Sequence, residues 1–452
     1  MHIEKLKIVG LHGYIDKEID FKSDITMLVG INGSGKTSIL NILNWLIKPS
    51  LPNLCVTEFK SINLIFSYKK ITYNILCKHN RATFKYEISI DKEKYFPLSI
   101  PIKVRPCDIG NDTNLRENLI QGYIHLSPEP KEKKTWDLIS NFPNPTIIGL
   151  DRNLYTEESS DRIYYEELRS NKIARKNSNI SPLERVKEIV NREYRRRKNE
   201  VLILTNKLKN HLILSTFSGS ITIESFTSGI KYKLNLTQIE NAETRVNDYF
   251  KNFESTVITE SEQLTINQFF SELKDITRKY QQDPKDERVK LLYGLNANQF
   301  VKVRRLLKEF ENFEVQSTKT LEEITVYLRT LNHFLKDSAK QIIFKEDTSE
   351  LTFNTLNKKG EITTKYKDIK FLSSGEQQIL ILFSYIAFNS QDGRIFIIDE
   401  PELSLHIKWQ EDFLEMLEKI TPDSTQLILA THSPILANKK KDKAILLKPY
   451  ND

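Results

Sequence analysis

Apolar and polar positions alternate in three short runs at the start of the chain. These runs, Ile3 to Val9, Ile15 to Phe21 and Ile25 to Val29, predict β-strands, because side chains of a strand point alternately to opposite faces. The run Thr37 to Ile47 predicts a helix, and a glycine-rich segment separates it from the third strand. The order strand, glycine loop, helix is the context that a phosphate-binding loop needs.

Further strands follow before residue 151. The runs Ile62 to Tyr68, Ile71 to Cys77 and Ala82 to Ile90 predict a β-meander, and Thr146 to Leu150 predicts a buried strand. Together they predict an N-terminal lobe that covers residues 1–151.

The pattern changes to a helical one after Asp151. From Leu183 to Leu208, apolar residues recur at spacings of three and four, which predicts one long amphipathic helix. Ser181 is its expected N-cap, with Glu184 three residues later completing a capping box. Other predicted segments are a β-like patch, Gly219 to Leu236, and helices Leu264 to Tyr280, Ala297 to Phe313 and Leu321 to Lys340. Residues 152–340 are therefore predicted to form a mainly helical insertion.

The last part of the chain returns to mixed structure. The predicted strands are Gln341 to Phe344, Leu351 to Leu356, Ile362 to Tyr366, Ile395 to Ile398, Gln426 to Ala430 and Lys443 to Leu447, and the predicted helices are Gly375 to Asn389 and Ile407 to Ile420. Residues 341–452 are thus expected to form a C-terminal α/β lobe. The predicted fold class is α/β, with the two lobes separated by the insertion.

Composition agrees with a globular protein. Of 452 residues, 39% are hydrophobic and 28% are charged. The three cysteines, Cys55, Cys77 and Cys107, have no zinc-ligand spacing and are expected to be buried thiols. The sequence shows no secretory signal and no apolar run of the roughly 18 residues that a membrane span needs, so we expect a cytoplasmic protein. The net charge of +7 permits nucleic-acid binding without arguing for it.

The first candidate for chemistry is the segment from Gly30 to Thr37, which matches G-x-x-x-x-G-K-[ST] in full. Its glycines let successive backbone N–H groups point at phosphate oxygens, Lys36 would reach the β- and γ-phosphates, and Thr37 would bind Mg²⁺. The alternative is a glycine-rich turn that only starts a helix. The predicted ATP-binding residues here are Gly30, Asn32, Gly33, Ser34, Gly35, Lys36, Thr37 and Ser38.

The second candidate is an apolar strand that ends in two carboxylates, Asp399 and Glu400. Asp399 is expected to hold the Mg²⁺ ion with its water shell, and Glu400 to orient and deprotonate the attacking water. Two acids after a strand could instead cap the next helix.

Two further candidate segments lie elsewhere in the chain, one between Thr37 and Asp399 and one after Glu400. Ser373, Ser374, Gly375 and Glu376 begin a predicted helix whose N-terminus would bind an anion, although such a sequence is also an ordinary helix cap. His432 follows a buried strand and would lie near the γ-phosphate, if it is not a simple loop residue.

Taken in their order along the chain, these four segments resemble the corresponding motifs in the heads of ABC ATPases of the RecF, SMC and OLD class. The resemblance covers about residues 1–150 and 340–452. It implies an ABC ATPase head, a P-loop NTPase fold, split by a helical insertion, with ATP and Mg²⁺ as substrate and cofactor. It also implies a homodimer, or a higher homo-oligomer, in which two subunits sandwich the nucleotide.

The resemblance extends to individual residues. Ser373 and Gly375 would contact the γ-phosphate of nucleotide bound in the opposite subunit, Pro401 to His406 would form the D-loop, and His432 would be the switch histidine. Gln121 is the candidate Q-loop glutamine and hence a candidate metal contact. Two departures are His406, where transporters have aspartate, and Gly10-Leu11-His12, where many relatives have Asn-Phe-Arg.

The biological role depends on the resemblance alone. OLD proteins carry a nuclease domain after the ATPase, whereas this chain ends about 20 residues beyond His432, so we expect any effector nuclease to be a separate protein. The chain looks like the ATPase subunits of two-component anti-phage systems, such as AriA of PARIS or PtuA of Septu.

The main alternative is a RecF-like repair ATPase that binds DNA directly. The predicted helix over 182–210 has nine basic and four acidic residues, a net +5, and Arg195 to Lys198 could contact phosphates unless they form a solvated face. Arg152 would either couple the nucleotide to the insertion or cap a strand. A transporter ATPase is disfavoured by the insertion and by His406.

Overall fold

The computed structural model forms two compact units. The first comprises Met1–Tyr194 and Ile324–Asp452, and the second comprises Arg195–Glu323. The described residues are 1–47, 49–91, 93–110, 112–143, 145–149, 154–155, 181–217, 233–252, 259–388 and 394–448. The predicted domain limits at residues 151 and 340 stay predictions, since Asp151 lies outside these ranges.

The elements are numbered in chain order. The strands are β1 His2–Leu11, β2 Ile15–Asp20, β3 Ile25–Val29, β4 Ser61–Tyr68, β5 Ile71–His79, β6 Thr83–Ile90, β7 Glu93–Lys94, β8 Leu98–Pro101, β9 Thr146–Ile148, β10 Leu154–Tyr155, β11 Lys340–Phe344, β12 Leu351–Leu356, β13 Ile362–Asp368, β14 Ile395–Asp399, β15 Gln426–Thr431 and β16 Ala444–Leu446. The helices are α1 Lys36–Ile47, α2 Leu51–Val56, α3 Pro106–Ile109, α4 Thr113–Tyr123, α5 Lys133–Ser140, α6 Pro182–Phe217, α7 Leu236–Asn252, α8 Glu260–Gln282, α9 Glu287–Leu335, α10 Ser374–Phe388, α11 Ile407–Ile420 and α12 Pro434–Lys439.

The central sheet of the first unit has the strand order β10-β9-β14-β15-β3-β16. All of its neighbouring strands are parallel except β10, which runs antiparallel to β9. Every residue of β14 and β15 is buried, as expected for the middle of a parallel sheet that is covered on both faces. Because β3, β14 and β15 are mutually parallel, the segments that follow them emerge at one edge of the sheet.

Two antiparallel sheets accompany the central one in the first unit. The order of the first is β2-β1-β4-β5-β6-β7, with β8 paired to β6, and its apolar face packs with α1 in one core. The second contains β11, β12 and β13. A turn joins β12 to β13, in which Gly360 donates its N–H to the carbonyl of Asn357 and adopts a φ of 81° that favours glycine.

A buried amide connects the central sheet to the first antiparallel sheet. The side chain of Gln426, at the start of β15, accepts a hydrogen bond from the N–H of Ile3 at 2.8 Å. Its amide nitrogen donates to the carbonyls of Ile3 at 2.9 Å and Lys22 at 2.8 Å. Since the bonds to Ile3 are buried and the bond to Lys22 is partly buried, the amide is needed to satisfy the backbone at this junction.

The second unit is helical in the part that the structure describes. Its core includes Leu234, Ile239, Phe270, Leu273 and Phe300, from α7, α8, α9 and the segment before α7. The predicted α/β head with a mainly helical insertion is thereby confirmed.

Several detailed predictions can be judged. The long helix is confirmed as α6, with Ser181 and Glu184 forming the expected reciprocal cap. The prediction of two separate helices, Ala297 to Phe313 and Leu321 to Lys340, was wrong. One helix, α9, continues through both to Leu335, because the polar residues between them contain no helix breaker. The β-like patch lies outside the described residues, apart from 233–236.

Two predictions from composition can also be judged. Cys55 and Cys77 are buried as predicted, but Cys107 is exposed, on the four-residue helix α3. None of the described helices combines the length and the apolar character that crossing a membrane requires.

Candidate functional site

The loop between β3 and α1 has the backbone shape of a phosphate-binding loop. Gly33 and Gly35 adopt φ values of 84° and 87°, which residues other than glycine rarely adopt. At Gly30, an added Cβ would lie 2.7 Å from the carbonyl oxygen of Leu447. Asn32 and Gly33 are exposed at the tip of the loop, and Ser34 is buried beneath it. The glycines therefore set the shape of the loop.

The Lys36 ammonium group is held inside this loop. Only 5% of the residue is exposed, and Nζ donates to the carbonyls of Gly30 at 2.8 Å and Ile31 at 3.3 Å. It also lies 3.5 Å from Oε1 of Glu400. A buried cation needs such partners, and phosphate oxygens that enter the loop would replace them.

The predicted metal residues Thr37 and Asp399 are in direct contact. The Thr37 hydroxyl donates to Oδ2 of Asp399 at 2.8 Å, and Oδ1 of Asp399 is buried without a hydrogen-bond partner among the described residues. Burial raises the pKa of Asp399, and the charge of Glu400 adds to this effect, while Thr37 and Lys36 oppose it. Hydroxyl and carboxylate oxygens are ligands that Mg²⁺ prefers, so these two residues fit the ion.

Glu400 lies at the junction of β14 with the next segment. It adopts a φ of 49°, and its N–H donates to the carbonyl of Ala430 in β15 at 2.8 Å. A left-handed glutamate is a strained conformation that the surrounding hydrogen bonds maintain. This backbone places the carboxylate between Lys36 and His432.

The electrostatic surroundings of Glu400 favour its ionised form. Burial would raise its pKa, but hydrogen bonds with Nδ1 of His432 and with Glu402, together with the charges of His432 and Lys36, outweigh burial, so the pKa of Glu400 lies below its usual range. An ionised carboxylate at the strand tip has the charge that a general base requires.

His432 follows β15 and is bound through both its backbone and its ring. Nδ1 pairs with Oε2 of Glu400, and the backbone N–H donates to Oε1 of Glu402 at 2.9 Å. The His432 side chain remains 46% exposed. The ring nitrogen Nε2, which faces away from Nδ1, is therefore the one available to a ligand.

Sequence reasoning placed Glu402 within the predicted D-loop but gave it no role of its own. This carboxylate is 4% exposed and contacts the loop that carries His432. Burial raises the pKa of Glu402, and the neighbouring Glu400 adds to the shift, which the hydrogen bond from Thr431 only partly offsets. Ligand atoms of Glu400, Glu402 and His432 lie within 4.8 Å of one another, but the hydrogen bonds among these groups account for the cluster without an ion.

Ser373 and Glu376 form a reciprocal cap at the start of α10. The N–H of Ser373 donates to Oε2 of Glu376 at 2.7 Å, and the same carboxylate accepts from Lys340 at 2.7 Å and from Ser338 at 2.6 Å. Glu376 is 2% exposed, and these partners give its side chain a structural role; its predicted contact with ATP stays a prediction. Ser373 and Ser374 are exposed and remain accessible to a ligand.

The start of α10 packs on the segment after Glu400. An added Cβ at Gly375 would lie 2.7 Å from the carbonyl oxygen of Ser404, so this close approach requires glycine. The side-chain amide of Gln378 donates to the carbonyl of Pro401 at 3.1 Å. His406 ends the segment as the N-cap of α11.

Other predicted residues lie elsewhere. Gln121 is exposed in the last turn of α4, and none of the site contacts described above involves it; its metal role stays a prediction. Nε2 of His12, at the departure from the Asn-Phe-Arg pattern, lies 3.1 Å from Oγ of Ser38 in the first turn of α1. Gly149, at the end of β9, lines a small cavity with Asp399, and Arg152 lies outside the described residues.

The site combines a glycine loop, a hydroxyl–carboxylate pair and a carboxylate next to a histidine. These features lie at one edge of a largely parallel sheet. The arrangement defines a P-loop ATPase head of the ABC type. The sequence comparison agrees with this class. The chain belongs to the AAA ATPase domain family, whose model matches residues 1–437.

Individual relatives are more distant. Over 191 residues the chain is 27% identical to the "Retron Vc95 probable ATPase" of Vibrio cholerae serotype O1 biovar El Tor, a match that covers 38% of this chain and 36% of that protein. The match thus spans about a third of the relative's length.

Two solved structures were also found. An Smc head domain with an extended coiled coil, bound to the C-terminal domain of ScpA and derived from Pyrococcus furiosus, has a TM-score of 0.35 at 13% identity, covering 97% of this chain and 91% of that one. A second Smc head, bound to the C-terminal winged-helix domain of ScpA, has a TM-score of 0.36 at 10% identity, with coverages of 97% and 92%.

Proposed function

We propose that this protein binds and hydrolyses ATP between two copies of itself, and that it acts as the sensor or scaffold subunit of a bacterial anti-phage complex that controls a separate effector nuclease. The observation that carries the first part is the contact of Thr37 with Asp399, which joins the phosphate loop to the acidic strand tip. ATP hydrolysis needs these two elements in one place.

Each residue of the site has a distinct role in the proposed hydrolysis. The loop N–H groups and Lys36 bind the β- and γ-phosphates, and Thr37 and Asp399 hold Mg²⁺, which neutralises phosphate charge when bound. Glu400 orients the attacking water and accepts its proton. His432, with Nδ1 paired to Glu400, offers Nε2 to the γ-phosphate.

The sandwich arrangement is supported by the start of α10. Ser373 and Ser374 are exposed at a helix N-terminus, where backbone N–H groups and the helix dipole favour an anion. The described contacts of these two residues do not include the chain's own phosphate loop. We therefore assign them to the nucleotide of a second subunit.

The defence role is supported by similarity to a retron ATPase and by the resemblance to the ATPases of PARIS and Septu. Its test is affinity purification of the tagged protein from the native host, with and without phage infection, followed by mass spectrometry. We expect a nuclease encoded nearby to co-purify in a nucleotide-dependent manner. A Lys36→Ala variant is the matched control, and recovery of no nuclease under any condition would contradict this role.

A second candidate, direct DNA binding in the manner of RecF, is favoured by a cavity in the helical unit. Its volume is about 680 Å³, and Arg245, Arg304, Arg305 and Lys308 line it beside a single acid, Glu311. Four basic groups against one acidic group attract phosphates. The test is binding of a labelled duplex over a salt series, comparing wild type with Arg305→Ala. A weaker salt dependence in the variant would support this candidate.

A further inference from the structure

Glu402 is a buried carboxylate that has no role in the proposed reaction as described above. It lies on the segment after β14 and is 4% exposed. Removing a carboxylate from water is costly unless hydrogen-bond donors compensate for the lost solvation. The donors that surround Glu402 therefore indicate what it does.

Oε1 of Glu402 accepts hydrogen bonds from three consecutive residues, the last of β15 and the two that follow it. The Thr431 hydroxyl donates to it, as do the backbone N–H groups of His432 at 2.9 Å and Ser433 at 3.0 Å. Thr431 also accepts from the N–H of Ser433 at 3.0 Å. Because one fixed oxygen accepts from three adjacent donors, residues 431–433 are held in one conformation.

The same oxygen also acts on the imidazole. Oε1 of Glu402 lies 3.3 Å from Nδ1 of His432, the nitrogen that pairs with Glu400. Two carboxylates on one side of the ring keep the proton on Nδ1 and fix the orientation of the ring. Nε2 is then directed away from both carboxylates.

We infer that Glu402 is a positioning residue for ATP hydrolysis, which holds the His432 loop and ring in the orientation that the γ-phosphate requires. This inference rests on the proposed ATPase function. Glu402 does not contact the nucleotide; it acts through His432. Its loss should therefore reduce the turnover rate more than nucleotide affinity, which depends on Lys36 and the glycine loop.

The position of Glu402 also connects two parts of the site. Its neighbour Pro401 accepts a hydrogen bond from Gln378 of α10, and the carbonyl of Ser404 lies against Gly375. The segment that carries Glu402 thus contacts α10 and the loop that carries His432. A movement of α10 as the sandwich closes would reach His432 through this carboxylate.

The experiment compares Glu402→Ala and Glu402→Gln in the full-length protein by steady-state ATPase kinetics and equilibrium ATP binding. Glu402→Ala removes the acceptor and should lower kcat by about 10- to 100-fold, the usual effect of losing such a supporting group. ATP affinity and KM should change less than about 3-fold, which is under 1 kcal/mol. Glu402→Gln keeps an acceptor oxygen and should recover part of the lost kcat.

Glu132 provides a matched control. It is also buried, at 7% exposed, and accepts the N–H groups of Ser99 at 3.0 Å and Glu129 at 2.9 Å, away from the residues of the site. Glu132→Ala should lower the melting temperature, as Glu402→Ala does, but leave kcat unchanged. If Glu402→Ala does not fold, the kcat of Glu402→Gln, which should still lie below wild type at unchanged KM, carries the test.

Three results would overturn the inference: wild-type kcat in Glu402→Ala, equal losses of kcat in Glu402→Ala and Glu132→Ala, or a loss of ATP affinity in Glu402→Ala as large as its loss of kcat. If instead the proposed ATPase function were wrong, the Lys36→Ala and Glu400→Gln variants would also keep wild-type ATP turnover, which distinguishes the two failures.

Discussion

The Thr37 hydroxyl donates a hydrogen bond to Oδ2 of Asp399 over 2.8 Å, although 362 residues separate them in sequence. A threonine at the start of a helix and an aspartate at the end of a strand meet because β15 alone lies between β3 and β14 in the central sheet. The site is therefore assembled by sheet topology, and each side chain in it can be tested separately.

Lys36→Ala should weaken ATP binding by at least about 10-fold, since a hydrogen bond to a charged group contributes about 1.5–3 kcal/mol. The variant removes the ammonium that Gly30 and Ile31 hold in the loop. The measurement is an equilibrium titration with labelled ATP. Lys70→Ala, at an exposed turn, is the control and should bind normally. Equal affinity in the two variants would refute the assignment of this loop.

Glu400→Gln should retain ATP binding but slow turnover by about 10²- to 10⁴-fold, because it keeps the shape of the side chain and removes the base. The variant should accumulate as a dimer with ATP bound, which light scattering after size-exclusion chromatography would detect. Hydrolysis at the wild-type rate would exclude Glu400 as the catalytic carboxylate.

Ser373→Arg should leave ATP binding by a single subunit intact and block closure of the sandwich, since a bulky cation would occupy the phosphate position. Mixing Ser373→Arg subunits with Lys36→Ala subunits should restore part of the ATPase activity, because each mixed dimer retains one site with both elements intact. Each variant alone is the control. Normal turnover by Ser373→Arg alone would show that α10 does not complete the site.

Stability at low pH should depend on Glu376. Burial would raise the pKa of Glu376, but hydrogen bonds from Lys340, Ser338 and Ser373 hold it below its usual 4.5. Ionised Glu376 therefore stabilises the fold fully above pH 4.5, and this contribution is lost as the pH falls through the lowered pKa.

The measurement for Glu376 is the free energy of unfolding in urea, from about pH 6 down to about pH 3, for wild type and Glu376→Gln. The difference between them should shrink as the pH falls. Lys340→Ala, which removes the ion-pair partner, should lose part of the same pH dependence. A difference that is constant over this range would contradict the account.

Gln426→Ala should destabilise the first unit by about 2–4 kcal/mol, because it removes the partner of the buried N–H and C=O groups of Ile3 and of the partly buried C=O of Lys22. The free energy of unfolding in urea measures this loss. Gln121→Ala removes an exposed amide and should cost less than about 0.5 kcal/mol. Equal stability of the two variants would show that the buried amide contributes nothing at the junction.

Much of the fold could be predicted from the sequence where periodicity is strong. The strand Ile25–Val29 was predicted to the residue, and so was the helix Ile407–Ile420. The helix Thr113–Tyr123 was missed, because only Leu119 and Tyr123 are buried in it, so its sequence shows little apolar period. Its N-cap, Asp112, was the signal that was available.

The candidate site shows where reasoning from the sequence stops. Motifs located Lys36, Asp399 and His432, because each has a characteristic neighbour in the sequence. Glu402 could not be assigned, since its partners are about 30 residues away and become visible only when β14 and β15 pair. Glu376 was assigned to the nucleotide, because its reciprocal cap looks the same in the sequence whether its carboxylate faces a ligand or Lys340.

The central sheet has a consequence for synthesis on the ribosome. β3 pairs with β15 and β16, whose residues lie between 426 and 446, so the strand before the phosphate loop gains these neighbours only after the chain has been translated beyond residue 426. At about 5–20 residues per second, this delay amounts to roughly 20–80 seconds. During that time, the nascent chain has an apolar strand without its neighbours and lacks Asp399, the partner of Thr37. We therefore expect the N-terminal lobe to complete its packing only after β15 and β16 have left the ribosome.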